Sequence, residues 1–482
     1  MSLYRIEKDS LGEMQILDSV YYGIQTQRAI DNFGVNGLPI SGLTIGHYRY
    51  FIWSMAAIKK AAALANKEIN YLEQSIADAI VKAADEILSG GLSDQFPLDV
   101  LQGGGYTSAN MNVNEVIGNR ANEIITGKKG SDKVHPNTHV NMGQSTNDVI
   151  PAVLKLSCYK YISDLVESVN SLETALKNKV EEFKDIVKIG RTCLQDAVPL
   201  TLGQEFSGYY DLIKRRKKKL LDMRNELLTL PLGGTAIGTE LGAGAGFIEA
   251  AYLHLSKIIG YEVVPDNNFF DGLQNADIYI DLSANLKALA AGISKIATDL
   301  RILSSGPNGG IQEIILPALQ PGSSIMPGKI NPVMPELINQ ICYQVCGNDL
   351  VISMAVEGGE LDLNVWEPVI FKCIAESFML LTNGINLFTE KCITGLQANI
   401  DICRDYSERS TALSTVVATL FGYQIGSDIA KKAAKEKKTV KQVAVEEKIF
   451  TQAEADELLD PMVMTCAATF KEKIDKYRAA LP

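Results

Sequence analysis

Histidine and tryptophan are the scarcest chemistry-bearing residues of this chain, with four and two copies in 482 residues. The histidines stand at 47, 135, 139 and 254, too few and too scattered for an imidazole-based metal centre. Eight cysteines, at 158, 193, 342, 346, 373, 392, 403 and 466, occur singly, most of them in apolar helical contexts where a free thiol packs as a small apolar group. Structural disulfides are therefore not expected. Cys342 and Cys346 share a helical pattern, but no second Cys or His pair lies near them, so no zinc site is read there.

Positive charge is also in deficit. Lys and Arg total 46 against 57 Asp and Glu, a formal net charge of -11, which argues against nucleic-acid or anionic-membrane partners because both need a basic footprint. The run 214–219 (KRRKKK) sits in a helical pattern and reads as a solvated helix face. Uncharged apolar runs such as 288–293 fall far short of the ~20 residues of a membrane span. The start, MSLYR, has no basic region followed by an apolar stretch, so no secretory signal and a soluble, cytoplasmic protein are expected.

Strand-like alternation is weak, and no glycine-rich loop follows an apolar strand, which removes dinucleotide-binding and phosphate-loop readings. Helical periodicity dominates instead. Ile162, Leu165, Val169, Leu172, Leu176, Val180, Phe183 and Val187 recur at spacings of three and four, predicting a long amphipathic helix between 150 and 188. Similar patterns predict helices over 206–230, 276–303 and 336–356. The expected fold class is all-α with an extended helical bundle. Thr439 with Gln442, and Thr451 with Glu454, fit the capping-box pattern of short helices in a small C-terminal unit. Domain boundaries near 140 and 400 are expected, giving segments 1–140, 141–400 and 401–482.

Four stretches break the helical pattern with hydroxyls, amides and glycines: 103–114 (GGGYTSANMNVN), 135–148 (HPNTHVNMGQSTND), 190–199 (GRTCLQDAVP) and 322–332 (GSSIMPGKINP). Clusters of short neutral donors suit a carboxylate or an enolate-like anion. The fourth stretch, with Gly322, Pro327, Gly328 and Pro332 around two hydroxyls, a lysine and an amide, reads as a mobile lid or as a connector between helices.

Taken together, GSSIMPGKINP, GQSTND, GRT-x-x-QDA-x-P and TSANMN-x-NE resemble the signature set of the aspartase and class II fumarase superfamily. The resemblance runs from Leu11-Gly12-Glu13 to Leu459-Asp460-Pro461, and Met334-Pro335-Glu336 and Leu363-Asn364-x-x-Glu367-Pro368 are closer to aspartase wording. It implies a three-domain fold with a long central bundle and a homotetramer whose active sites draw segments from three subunits. The implied reaction is anti elimination of ammonia from L-aspartate to give fumarate, with no cofactor or metal.

By match to the family motif, Ser323 is the expected base and Lys329 the residue that assists it. Asn331, Ser324, Thr192 and Cys193, with Thr107, Ser145, Thr146 and Asn147, are the expected substrate contacts. Thr107, Ser145, Thr146 and Asn147 could also N-cap the following helices. Asn147 is the residue expected to accept from the substrate ammonium.

His135 and His139 match the family's HPN-x-HVN loop and are not assigned to catalysis. Three positions depart from the pattern. Cys193 replaces a His or Gln, weakening a carboxylate contact and removing an imidazole suited to hydration chemistry. Tyr106 replaces a glycine, and its ring is expected either to narrow the pocket or to turn away from it. Glu240, with Gly242, stands where the family has Gly-Leu-Asn. Fumarate hydration, another amino acid or an N-substituted aspartate as substrate, and a non-catalytic scaffold remain open.

Overall fold

In the computed structural model, which describes residues 3–480, the chain is mostly helical. The elements that carry the argument are α1 (Ile24–Phe33), α2 (Arg49–Glu68), α3 (Gln74–Leu88), α4 (Thr107–Thr126), α5 (Thr146–Glu182), α6 (Leu202–Glu226), α7 (Phe247–Ile259), α8 (Phe269–Gln274), α9 (Ile278–Leu303), α10 (Val333–Glu357) and α11 (Glu367–Phe388). Shorter helices follow from Ile400 to Ala480.

The four long helices read from apolar spacing appear as α5, α6, α9 and α10. The first stops at Glu182, earlier than expected. Phe183 keeps the helical spacing because its ring packs edge-on against Phe206 at 5.3 Å, while Val187 already belongs to a strand. Strand-like alternation is weak in the sequence, and among the described residues strands occur only as two-stranded pairs. The largest are the N-terminal hairpin of β1 (Tyr4–Asp9) and β2 (Gly12–Leu17), and the hairpin of β3 (Val187–Thr192) and β4 (Gln195–Thr201). Short two-stranded ribbons expose one face and alternate over only six or seven residues, which hides them among longer helical signals.

Helix α11 is apolar enough by length and composition to span a bilayer, yet 61% of its most apolar window is buried in the fold, as in a core helix. Five of the eight cysteines, Cys158, Cys342, Cys373, Cys392 and Cys403, are buried. Both capping boxes form, with Thr439 and Thr451 each accepting from the amide three residues on.

The chain divides into two compact units. One holds the residues up to Glu167, Lys218–Ala288 and Tyr343–Thr382; the other holds Ser168–Lys217, Leu289–Cys342 and the residues from Asn383 onward. In the first, alanine-rich α2 packs against α3 and α7, and Ala62 and Ala65 meet Phe247, Ala250 and Ala251. Small side chains let these helices approach closely. Glu115 of α4 gathers the start of α1: its carboxylate accepts from the amides of Gly23, Gln25 and Thr26 and from the Thr26 hydroxyl at 2.6–3.1 Å. In the second unit, the C-terminal helices enclose their own apolar core of Leu413, Val416, Val443, Phe450, Leu458 and Ile474 among others.

Candidate active site

Two of the four polar segments lie in the first unit. Helix α4 begins at Thr107, directly after Tyr106, whose φ of 61° is left-handed. An L-residue there costs about 1 kcal/mol relative to glycine. Tyr106 offsets this by burial: it is 0% exposed, its ring lies 5.2 Å from Phe51, and its hydroxyl donates to the Val100 carbonyl at 2.8 Å. The ring therefore fills the core and does not narrow a pocket. Thr107 does not cap its helix; its hydroxyl donates to the Gly104 carbonyl at 2.8 Å.

The segment 145–148 starts α5. The Ser145 hydroxyl accepts from the Asn147 amide at 3.2 Å, so it does cap the helix. The Asp148 carboxylate closes the turn by accepting from the Ser145 amide at 2.9 Å, and its second oxygen accepts from Gly233 at 2.9 Å and Thr235 at 3.0 Å. One buried carboxylate thus fixes two loops. Burial pushes its pKa up to about 6, opposed by those three amides and by Lys59.

Asn147 donates its side-chain amide to the Ala236 carbonyl at 2.7 Å, a bond that uses its N–H and not its side-chain oxygen. Pro151 has no N–H to give the Asn147 backbone carbonyl, so that oxygen also lacks its helical partner.

Behind this turn lies a buried polar network that was not singled out from the sequence. The Lys59 amine, fully buried within α2, donates to Asn141 at 2.9 Å and to Gln144 at 3.0 Å. Burial lowers its pKa to about 7, with Asp148 pulling the other way. Asn110 and Asn114 donate to the same Asn141 oxygen at 3.2 and 3.1 Å, and Asn110 also reaches the Thr146 hydroxyl at 3.1 Å. The first turns of α4 and α5 are joined through Asn110, which brings the Thr107 and Thr146 segments together. Lys59 sits in the run Ile58-Lys59-Lys60, and nothing in that run separates a buried lysine from a surface one.

The other two segments belong to the second unit. Thr192 pairs with Gln195 at the end of the β3–β4 hairpin, leaving Cys193 and Leu194 as a two-residue turn. Both have left-handed φ, 53° and 59°, as a type I′ turn requires, although neither is the Asn or Gly that adopts it at low cost. Strained backbone of this kind collects at functional sites. The turn presents Cys193 to solvent. Below it, Lys188 and Arg191 both pair with the wholly buried Glu313, at 3.2 and 2.8 Å, which anchors the hairpin base.

In the loop 322–332, the Gly322 amide donates to the Lys329 carbonyl at 2.6 Å and the Asn331 side chain donates to the Gly322 carbonyl at 3.0 Å. A Cβ on Gly322 would stand 2.7 Å from the Lys329 oxygen, so this pinch needs glycine. Above it, the Ser323 hydroxyl oxygen accepts from the amides of Ile325 at 3.2 Å and Met326 at 3.1 Å. Two donors aimed at one hydroxyl oxygen favour its deprotonated form. Ser324 and Lys329 are exposed, as is Ile325 at 83%, and Ser323, Met326, Lys329 and Ile330 wall a small cleft. Glu240 is exposed and left-handed at φ 59°, on the loop that Asn147 reaches through Ala236.

Comparison with known proteins agrees across nearly the whole chain. Residues 12–347 match the family described as Lyase, and residues 413–466 match the family described as Fumarase C C-terminus. The aspartate ammonia-lyase of Bacillus subtilis (strain 168) is 47% identical over 464 residues, 96% of each chain. That of Escherichia coli (strain K12) is 43% identical over 456 residues, 94% of each chain. Among solved structures, a fumarate lyase:delta crystallin from Brucella melitensis bound to cobalt superposes with a TM-score of 0.92 at 42% identity, covering 96% of this chain and 100% of that one. A class II fumarase from Schistosoma mansoni gives 0.91 at 36% identity, covering 96% of this chain and 99% of that one.

Proposed function

This chain belongs to the lyase family of the aspartases and class II fumarases, and from that membership we propose that it catalyses the reversible anti elimination of ammonia from L-aspartate to give fumarate. It is a carbon–nitrogen lyase. The observation that carries the assignment is the identity of 43–47% to aspartate ammonia-lyases along almost the full length of both chains.

The chemistry requires removal of a proton from the carbon beside the β-carboxylate, a very weak acid. Ser323 is the base. The Ile325 and Met326 amides that already point at its oxygen stabilise the alkoxide, and the positive charge of Lys329 on the same loop has the sign to assist. Proton removal leaves a dianionic aci-carboxylate, whose donors come from segments of three different subunits of the assembly: Lys329, Asn331 and Ser324 of the loop, Thr192 and Cys193 of the hairpin, and Thr107, Ser145 and Thr146 of the helix starts. Asn147 accepts from the substrate ammonium through the carbonyl oxygen that its bond to Ala236 leaves free. Ammonia then departs from the face opposite the base. The exposed Ile325, Met326 and Ile330 are the apolar surface that loop closure would cover.

Hydration of fumarate is the second reading, supported by the likeness to a class II fumarase. Cys193 counts against it, because a thiol cannot take the acid/base part of the imidazole that hydration uses. Another amino acid or an N-substituted aspartate is a reading for the Glu240 loop, since a carboxylate beside a dicarboxylate substrate is unfavourable unless paired.

The working form is a homotetramer in the cytoplasm. Helix α10 supports the assembly: Tyr343, Leu350 and Met354 are 68%, 62% and 65% exposed at spacings of seven and four, a stripe that calls for partner helices. The division at residues 140 and 400 is part of the same proposal, and the separate apolar core around Leu413–Ile474 supports its C-terminal piece. No nucleic acid or membrane is assigned as partner; within the basic run, Lys217 pairs with Glu173 and Lys218 with Asp222. The test is Ser323→Ala, which should lower kcat at least about a thousandfold with the melting temperature unchanged. Activity within tenfold of the parent would remove Ser323 as the base.

A further inference from the structure

The hairpin that presents Thr192 and Cys193 is not held in shape by its own tip. Cys193 and Leu194 are left-handed without being glycine or asparagine, and from Thr192 to Asp196 every side chain is exposed and makes no described hydrogen bond or ion pair. The last side chain fixed before the tip, on the first strand, is Arg191.

Arg191 is gripped from two sides. Its guanidinium donates to Glu313 Oε2 at 2.8 Å and lies 5.7 Å from the centre of the Tyr406 ring, within cation–π reach. Both walls are anchored in turn. Glu313 is wholly buried, and its backbone carbonyl accepts from the Asn399 amide at 2.9 Å and the Cys403 thiol at 3.3 Å, beside and within the helix Ile400–Arg409 that carries Tyr406. Lys188 shares the same Glu313 oxygen at 3.2 Å and reaches Glu205 at 2.7 Å, so two cations balance two carboxylates beneath the hairpin.

On a regular strand Lys188 and Arg191, three residues apart, would point to opposite faces. They meet at one oxygen because the ladder slips by one residue between them: Ile189 pairs with Pro199, but Arg191 pairs with Asp196. Gly190 stands at the slip, where a Cβ would lie 2.6 Å from the Val198 carbonyl oxygen, so this bulge needs glycine. The bulge turns Arg191 onto the face of Lys188. Thr192, the next residue of the strand, therefore faces the other way.

We propose that Arg191 is a positioning residue for the substrate contact made by Thr192. Its grip on one face fixes the rotation of the strand about its own axis, and that rotation aims the Thr192 hydroxyl on the opposite face. A guanidinium suits the task because its plane pairs with a carboxylate and stacks on a ring at once, which an ammonium does not. The role rests on the reading of Thr192 as a donor to the substrate carboxylate.

The experiment is a double-substitution cycle between Arg191→Gln and Thr192→Val in the full-length protein. It is read as kcat/KM on L-aspartate and, separately, as the calorimetric Kd of succinate, a dicarboxylate with no amine to eliminate. Arg191→Gln should worsen both values about tenfold where Thr192 is present, and less than about twofold once Thr192→Val has removed the hydroxyl. An arginine that only braces the fold would cost the same factor in both backgrounds; that result, or no loss on Arg191→Gln, overturns the proposal. Should Arg191→Gln fail to fold, Arg191→Lys keeps the charge balance and takes its place in the cycle, with a loss of about fivefold expected and the same comparison deciding. The two readouts separate this inference from the ammonia-lyase assignment. Coupling in the succinate Kd without turnover of L-aspartate refutes the assignment alone, turnover without coupling refutes the positioning role alone, and neither turnover nor succinate binding refutes both.

Discussion

Replacing Asp148 with Asn separates the positioning of the substrate segment from the stability of the fold. The carboxylate accepts three backbone amides, Ser145 on one oxygen and Gly233 and Thr235 on the other. An asparagine has one acceptor oxygen. If that oxygen keeps Gly233 and Thr235, its NH₂ faces the Ser145 N–H, one charge-assisted bond is lost and a buried donor is left unpaired, together about 2–4 kcal/mol. Against this stands relief of a buried charge. The folded-state pKa is about 6 against an ordinary 3.8, so at pH 8 the ionised carboxylate lowers stability by about 3 kcal/mol.

The two effects nearly cancel in global stability, but they do not cancel at Ser145–Asn147, where the lost bond is local. We expect a melting temperature within a few degrees of the parent at pH 8 and a kcat/KM on L-aspartate lowered about 30- to 1000-fold, at about 1.4 kcal/mol per tenfold. The pH dependence gives an independent check. A raised carboxyl contributes stability that is present below pH 3.8 and lost as pH rises through 6, so the parent should lose about 2.4 kcal/mol relative to Asp148→Asn between pH 4 and pH 8. Lys59, lowered to about 7 in the parent, acts in the opposite sense at higher pH, stabilising as pH rises from 7 toward 10.5; in Asp148→Asn it loses the pull of Asp148, so its rise in stability starts at lower pH and widens the difference between the two curves. Denaturant unfolding across that range with steady-state kinetics at pH 8 decides it. Unchanged kcat/KM, or parallel pH curves, would refute the positioning role.

Cys193→His should raise kcat/KM on L-aspartate about tenfold, the worth of one hydrogen bond to a carboxylate, and an unchanged value would put Cys193 outside the site. Leu350→Glu, on the exposed stripe of α10, should reduce the assembly to smaller species by analytical ultracentrifugation and abolish activity, whereas an intact tetramer would place the interface elsewhere.

The long helices were legible in the sequence because each keeps one apolar stripe at helical spacing over many turns, a signal that survives local exceptions. The hairpins were not. In the β3–β4 ribbon, Ile189 is buried while Cys193 and Leu194 are exposed at the turn, and the helical spacing of the preceding segment runs on through Phe183 for packing reasons.

The site segments were legible as clusters of hydroxyls, amides and glycines, since helices otherwise avoid such runs. What supports them from behind was hidden. Lys59 has helix-surface chemistry by type and becomes a buried donor only where Asn141 and Gln144 fold over it. Tyr106 misled for the same reason: a bulky residue in a glycine position suggests a crowded pocket, but the left-handed backbone points the ring into the core.

The most direct test of the central claim is fumarate appearance, followed by ultraviolet absorbance, with purified protein and saturating L-aspartate, and L-malate in parallel. The account predicts steady fumarate production from L-aspartate and little or none from L-malate. Turnover of L-malate alone, or of neither, would contradict it.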